Sequence, residues 1–126
     1  MKIICFFFDR NVGGPHVRGR AVNKRLAALG HSPRIALPTG EGTAAAYLRS
    51  AGLPVDKPVS PRRVAAFLLY LLTMPLSVWC IVQYLRREKP DVIHVNSGLD
   101  FAPGIAGRIA GVPIVWYLTD TILSRP

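Results

Sequence analysis

Apolar positions along this chain switch between short continuous runs and helical spacings, and the switch repeats from end to end. Ile3 to Phe8 is an unbroken apolar run with β-branched and aromatic members, the pattern of a strand buried on both faces. Asp9 to Gly14 breaks it with turn residues. Pro15 suits the first turn of a helix, where its missing N–H costs nothing. Val22, Leu26 and Leu29 then fall at i, i+4 and i+7 and predict the apolar face of that helix. Gly30 fits its C-cap, and Arg34 to Leu37 reads as a second strand. Two strands joined by a helix of this length pair in parallel with a right-handed crossover. The pattern opens a doubly wound α/β domain.

Further on, Thr39 to Gly42 reads as a loop, and Thr43 is placed to cap a short Ala-rich helix over Ala44 to Ser50 that Gly52 ends. Leu53-Pro54-Val55 predicts a brief third strand, followed by a loop from Asp56 to Pro61. Asp91 to Val95 (DVIHV) is the clearest later strand, with Asn96-Ser97-Gly98 as the loop at its carboxyl end. Asp100 is positioned to cap a helix over Phe101 to Ala110, with Ile105 and Ile109 as its apolar stripe. Ala102, Ala106, Ala110 and Gly107 would let that helix approach the sheet closely. Pro113 to Leu118 (PIVWYL) is a further buried strand, ending in Thr119-Asp120.

Val64 to Val82 holds nineteen uncharged residues between Arg62-Arg63 and Arg86-Arg87. As a helix it would be about 28 Å long, near the thickness of a bilayer core. Pro75 in its middle and a thin polar stripe of Tyr70, Thr73, Ser77 and Tyr84 favour a buried or interfacial helix over a span. Arg-rich ends suit phospholipid headgroups in either case.

The chain has 126 residues, enough for one domain, and its 50% hydrophobic content is enough for a core. Sixteen Lys and Arg against seven Asp and Glu give a net charge of +9, which favours anionic partners. The cations are dispersed and do not alternate with aromatics, so nucleic acid ranks behind phosphorylated small molecules and anionic lipid. Cys5 and Cys80 stand far apart without metal-ligand spacing and read as buried free thiols in a reducing compartment. The N-terminal apolar run is too short for a signal peptide and ends at Asp9.

In an open parallel sheet ligands bind beyond the carboxyl ends of the strands. That rule selects Asp9–Gly14, Asn96–Gly98 and Thr119–Asp120. Gly13 and Gly14 before a helix let backbone N–H groups approach an anion, with the helix dipole in support. The spacing G-x-G-x-x-G and the P-loop are both missing, which disfavours a nicotinamide dehydrogenase or a P-loop nucleotidase.

Four pieces in register carry a family resemblance. They are Gly13-Gly14 with Leu26-Ala27-Ala28-Leu29-Gly30-His31, then Ala51 to Val55, Lys89 to Ser97, and Gly111 to Trp116. Together they resemble the amino-terminal domain of GT-B glycosyltransferases of family 4. The resemblance implies a Rossmann-like parallel sheet with helices on both faces, forming an acceptor-side domain that is incomplete at its C-terminus. A separate donor-binding domain or subunit would complete the enzyme. The implied reaction moves a sugar from a nucleotide sugar to a lipid-linked or glycan acceptor, with no metal or other cofactor expected. In that scheme Gly13 and Gly14 face the donor phosphates, and His16, Asn96, Ser97 and Thr119 lie on the acceptor side. Asp120 is the candidate catalytic acid, since Thr119-Asp120 stands where the family commonly has His-Asp or Arg-Glu. The implied location is cytoplasmic, peripheral at the inner face of the membrane. Two alternatives keep other roles open: the membrane-bound acceptor subunit of a two-chain transferase, and a small membrane-anchored binding protein.

The remaining polar residues have structural readings. His94 inside a strand is expected to be a hydrogen-bonded core histidine, and Asp9 a turn residue. His31 suits the negative end of a helix, and Arg18 and Lys24 a solvated helix face.

Overall fold

The computed structural model describes residues 1–8, 10–38, 42–59, 67–96 and 101–117. Nine elements follow in order: β1 (Lys2–Phe7), α1 (Gly14–Ala28), β2 (Ser32–Pro38), α2 (Thr43–Arg49), β3 (Val55–Val59), α3 (Phe67–Glu88), β4 (Val92–Asn96), α4 (Phe101–Ala110) and β5 (Ile114–Trp116). The five strands form one sheet in the order β3-β2-β1-β4-β5, and every neighbouring pair is parallel. This is the expected Rossmann-like α/β architecture. Its topology reverses between β1 and β4, the position where such sheets open a ligand crevice.

β1 is the central strand and feeds two cores. Ile4 and Phe6 point to one face, where Ile93, Val95, Ile81, Val82, Tyr84, Leu85, Ala102 and Ala106 from β4, α3 and α4 close around them. Cys5 and Phe7 point to the other, with Ile35, Leu37, Ala44, Ala45, Leu48 and Leu53. Helices therefore cover both faces, and the continuous apolar run of β1 follows from burial on two sides.

Both expected helix stripes are corrected. Val22 and Leu29 on α1 are exposed, and the buried side of that helix carries His16, Gly19 and Asn23. The spacing 16, 19, 23 is as helical as 22, 26, 29, and close approach decides between them. A Cβ at Gly19 would run into the ring of Phe7, so only glycine lets α1 sit this low on β1. On α4, Ile105 and Ile109 face outward while Ala102, Gly104, Ala106 and Gly107 face the sheet. A Cβ on Gly107 would lie 2.6 Å from Ile93 Cδ1. Small residues set the inward face here too, as the alanines and glycine of this stretch suggest.

Several boundaries differ from the sequence reading, and β5, expected as a buried strand over Pro113 to Leu118, is Ile114–Trp116 with Val115 and Trp116 exposed. Thr43 is the first residue of α2 and not its cap; its Oγ1 accepts the Val12 N–H at 2.9 Å and ties the loop after β1 to α2. The loop expected from Asp56 continues β3 as far as Val59. An edge strand tolerates Lys57 and Pro58 because its outer side has no ladder to complete. α3 runs from Phe67 to Glu88 with Pro75 inside it. Tyr84, from the expected polar stripe, is 3% exposed and its hydroxyl donates to Asp56 Oδ2 at 2.7 Å. Among the described residues no helix is long and apolar enough to cross a membrane.

The amino-terminal ends of the strands are held by charge. Glu88 Oε2 meets Lys2 Nζ at 2.9 Å and Arg34 Nη1 at 3.3 Å, and Arg34 also reaches Asp56 Oδ2 at 3.2 Å. Asp91 Oδ2 accepts the Lys2 backbone N–H at 2.7 Å. The hydrogen bond from Lys2, with the charges of Lys2 and Arg34, holds the Glu88 carboxyl below its ordinary value. A carboxyl whose folded pKa is depressed contributes stability above its unfolded pKa and loses it as pH falls through the folded one. Urea midpoints are therefore expected to drop on acidification below the ordinary glutamate range, and Glu88→Gln is expected to remove that part of the drop.

Candidate functional site

The loop after β1, the start of α1 and the end of β4 meet at the β1/β4 switch, the position where sheets of this kind open a ligand crevice. Residues 10–13 of the loop are tied down on both sides. Ala44 N–H donates to Arg10 O at 2.9 Å and Thr43 N–H to Asn11 Oδ1 at 3.4 Å. Gly42 lies so close to the Arg10 carbonyl that a Cβ there would collide with it. The turn is a fixed platform packed against α2.

Gly13 is the N-cap of α1 in an extended conformation. Its N–H donates to His16 Nδ1 at 3.2 Å, while His16 and Val17 N–H both return to Gly13 O at 3.1 Å. His16 is 2% exposed, and its ring stacks on Phe7 with centroids 4.8 Å apart. The histidine thus closes the first turn of the helix. Pro15 offers no N–H; Gly13 and Gly14 are both exposed, and the more open of the two is Gly14. A Cβ on it would meet nothing within 4 Å.

Asn96 ends β4 opposite Phe7 of β1 and is buried at 4% exposure. Its Nδ2 donates to Phe6 O at 3.2 Å and to Cys5 Sγ at 3.0 Å. Asn96 therefore turns inward and bolts β4 to β1 at the mouth of the crevice. Asn23 on α1 lies beside the same thiol, and its Nδ2 donates to Gly19 O at 2.7 Å. Burial pushes the Cys5 thiol up to about 11 despite these amide donors, so it stays protonated and unreactive at neutral pH.

The structure thus brings together Gly13, Gly14, His16 and Asn96 at the carboxyl ends of β1 and β4. Ser97, Thr119 and Asp120, together with Asp9 and Asp100, lie outside the described residues. Among the described residues no cluster of three or more His, Cys, Asp or Glu has metal-binding geometry. Sequence reasoning expected Cys5 and His94 in the interior but missed Asn23 beside them, because a polar residue at helical spacing on α1 reads as part of a solvated face. Arg18, expected in solvent, places its guanidinium 4.4 Å from the centre of the Tyr117 ring.

A doubly wound sheet with a glycine turn at the switch point makes this chain a Rossmann-like lobe. It belongs to the glycosyl transferase 4-like domain family, whose model matches residues 13–126. Solved structures agree. Acinetobacter baumannii MurG superposes with a TM-score of 0.77 at 15% identity, covering 98% of this chain and 36% of that one. Anabaena Alr3699/HepE, in complex with UDP and glucose, gives 0.70 at 25% identity over 95% of this chain and 30% of that one. The UDP-GlcNAc 2-epimerase of Neisseria meningitidis bound to UDP-GlcNAc gives 0.70 at 12% identity over 92% and 32%. The chain spans about a third of the length of these proteins. No curated protein sequence matches it.

Proposed function

We propose that this chain is the acceptor-side lobe of a glycosyltransferase that uses a nucleotide-sugar donor. The observation that carries the reading is the family match, laid over a sheet whose β1 and β4 carboxyl ends lie side by side at the topological switch. Nucleotide sugars as the donor class are supported by the UDP and UDP-GlcNAc named for two similar structures. In this reading Gly14 lets a donor phosphate approach the positive end of α1. Gly13 and His16 shape the turn beneath it, and Asn96 with Ser97 and Thr119 borders the acceptor. Asp120 takes the acceptor hydroxyl proton.

Catalysis of this kind rests on holding the acceptor hydroxyl in line and stabilising the charge of the departing phosphate. Both tasks need the donor-binding lobe, as part of the same polypeptide or as a second chain. The 126-residue chain by itself is expected to transfer no labelled glucose from UDP-glucose to extracted lipid or glycan acceptors. Supplying the donor lobe is expected to restore transfer. Turnover by the purified chain alone would refute the reading.

A lipid-borne acceptor is favoured by α3. Leu72, Leu76 and Trp79 are 69%, 66% and 60% exposed and fall at i, i+4 and i+7 on one outward stripe. Arg86 and Arg87 lie in its last turn, on a chain of net charge +9. As the crossover between two parallel strands, α3 starts beside their carboxyl ends. Its apolar half therefore sits on the same side of the molecule as the crevice. An interfacial helix so placed holds the lobe peripherally on an anionic, inner-leaflet surface with the crevice near the headgroups.

A further inference from the structure

Cations are dispersed along this chain, but carboxylates are not. Residues 10–55 hold seven Lys and Arg against a single acid, Glu41, and so carry six of the nine net positive charges. In the fold this stretch supplies α1 and α2, the two helices packed over the β1–β3 half of the sheet. Neither helix contains a carboxylate, even in the first turn, where the helix dipole favours one.

Lys24, Arg25 and Arg49 are exposed, and Arg20 is half-buried with its guanidinium 4.8 Å from the centre of the Tyr47 ring. That contact joins α1 to α2 and sets the four cations on adjoining helices. None of the four takes part in an ion pair among the described residues; those pairs stand around Glu88 and Asp56. Both helices run from the carboxyl to the amino ends of the strands. Arg25 and Arg49, each in the last turn of its helix, therefore stand at the same end. The turns that follow, residues 29–31 and 50–54, are all described, and this end lies away from the glycine turn.

A soluble surface ordinarily intersperses both signs of charge. The dipole accounts for Arg25 and Arg49 in the last turns. It does not account for Arg20 and Lys24, a like-charged i, i+4 pair that weakens a helix. Such a pair, kept with no carboxylate on either helix, points to an anion supplied from outside the chain.

The rest of the surface selects among anions. The apolar side chains exposed on the two helices are alanine and valine only, whereas insertion into a bilayer takes large ones such as those on α3. Tyr47 is their only Phe, Tyr or Trp, and it lies under Arg20, which leaves no ring on which a base could stack. The described carboxylates of a second copy, Asp56, Glu88 and Asp91, are already engaged at the amino ends of its strands. What remains is a polypeptide carrying free acids. α1 is about 22 Å long, the reach of roughly seven residues of extended chain.

We propose that the face of α1 and α2 bearing Arg20, Lys24, Arg25 and Arg49 docks an acidic, extended segment of a partner protein. Carboxylates on one side of that segment supply the counter-ions that the two helices lack. The surface goes beyond the sugar-transfer reading and stands without it.

Fluorescence anisotropy of the 126-residue chain with a labelled peptide of alternating glutamate and serine tests this. Saturable binding is expected, weakening as salt rises. Lys24→Gln, Arg25→Gln and Arg49→Gln together are expected to weaken it at least tenfold. Arg86→Gln, Lys89→Gln and Arg108→Gln remove the same charge from exposed positions elsewhere and are expected to change it only a few-fold. In the parent chain, amide shifts on adding the peptide are expected to cluster on α1 and α2, a readout that stands even if a variant misfolds. Equal losses in the two triple variants, shifts spread over the whole chain, or no saturable binding overturns the proposal. So does tighter binding of a single-stranded oligonucleotide or of phosphatidylglycerol vesicles through the same residues.

Discussion

Gly19→Val is expected to destabilise the chain by about 3 kcal/mol, at the upper end of the usual cost of overpacking. The first γ-methyl adds to a Cβ that already has no room against the Phe7 ring. Phe7 cannot step aside, because it is 3% exposed and stacked on His16. The helix would have to lift, which stretches the Asn23 and His16 contacts under it. For a chain of this size such a loss lowers the thermal midpoint by roughly 10 °C. Gly14→Ala is the internal comparison. It has open space and a helical position, where alanine gains up to about 1 kcal/mol over glycine. Calorimetry or circular dichroism on the two variants checks the pair. Equal midpoints would mean that α1 does not sit on β1 as described.

Replacing Leu72, Leu76 and Trp79 together by serine is expected to abolish sedimentation with anionic vesicles while leaving the thermal midpoint within a few degrees. Full burial of one large apolar side chain is worth about 1.5–3 kcal/mol. Three of them half-immersed at an interface supply roughly 3–4 kcal/mol, a binding loss on the order of 100-fold or more. Their removal costs the fold little because all three already stand mostly in water. High salt is expected to weaken the parent chain on the same vesicles, since Arg86, Arg87 and the overall +9 charge act through screened fields. Undiminished vesicle binding by the triple variant would remove α3 as the contact.

The strands were legible in the sequence, and the helix faces were not. A strand buried on both sides shows as an unbroken apolar run, and β1 was located on that signal. Periodicity in α1 and α4 identified helices, but the largest apolar stripe is not the one that faces the sheet. Glycines at positions 19 and 107 decide the inward face through backbone distance, a quantity that hydropathy does not carry. β3 was cut short because Lys57 and Pro58 oppose a strand in general and are acceptable at an edge, and edge position is a property of the whole sheet. The glycine turn was placed by the switch-point rule. The inward turn of His16 and Asn96 was not legible, since it depends on bonds to Gly13, Phe6 and Cys5 across the crevice. His94 was expected to be a hydrogen-bonded core histidine, and its Nδ1 meets Cys5 Sγ at 3.6 Å.

The two borders of the sheet are not alike. Lys57 and Pro58 blunt the β3 side against further pairing, whereas β5 presents Ile114, Val115 and Trp116 with no charge among them. Behind β5 a trough of about 870 Å³ runs past Phe101, Ile105 and Trp116. Growth of this sheet is consequently one-directional: any additional strand, whatever polypeptide carries it, has a single flank to join and a ready bed for the helix that comes with it.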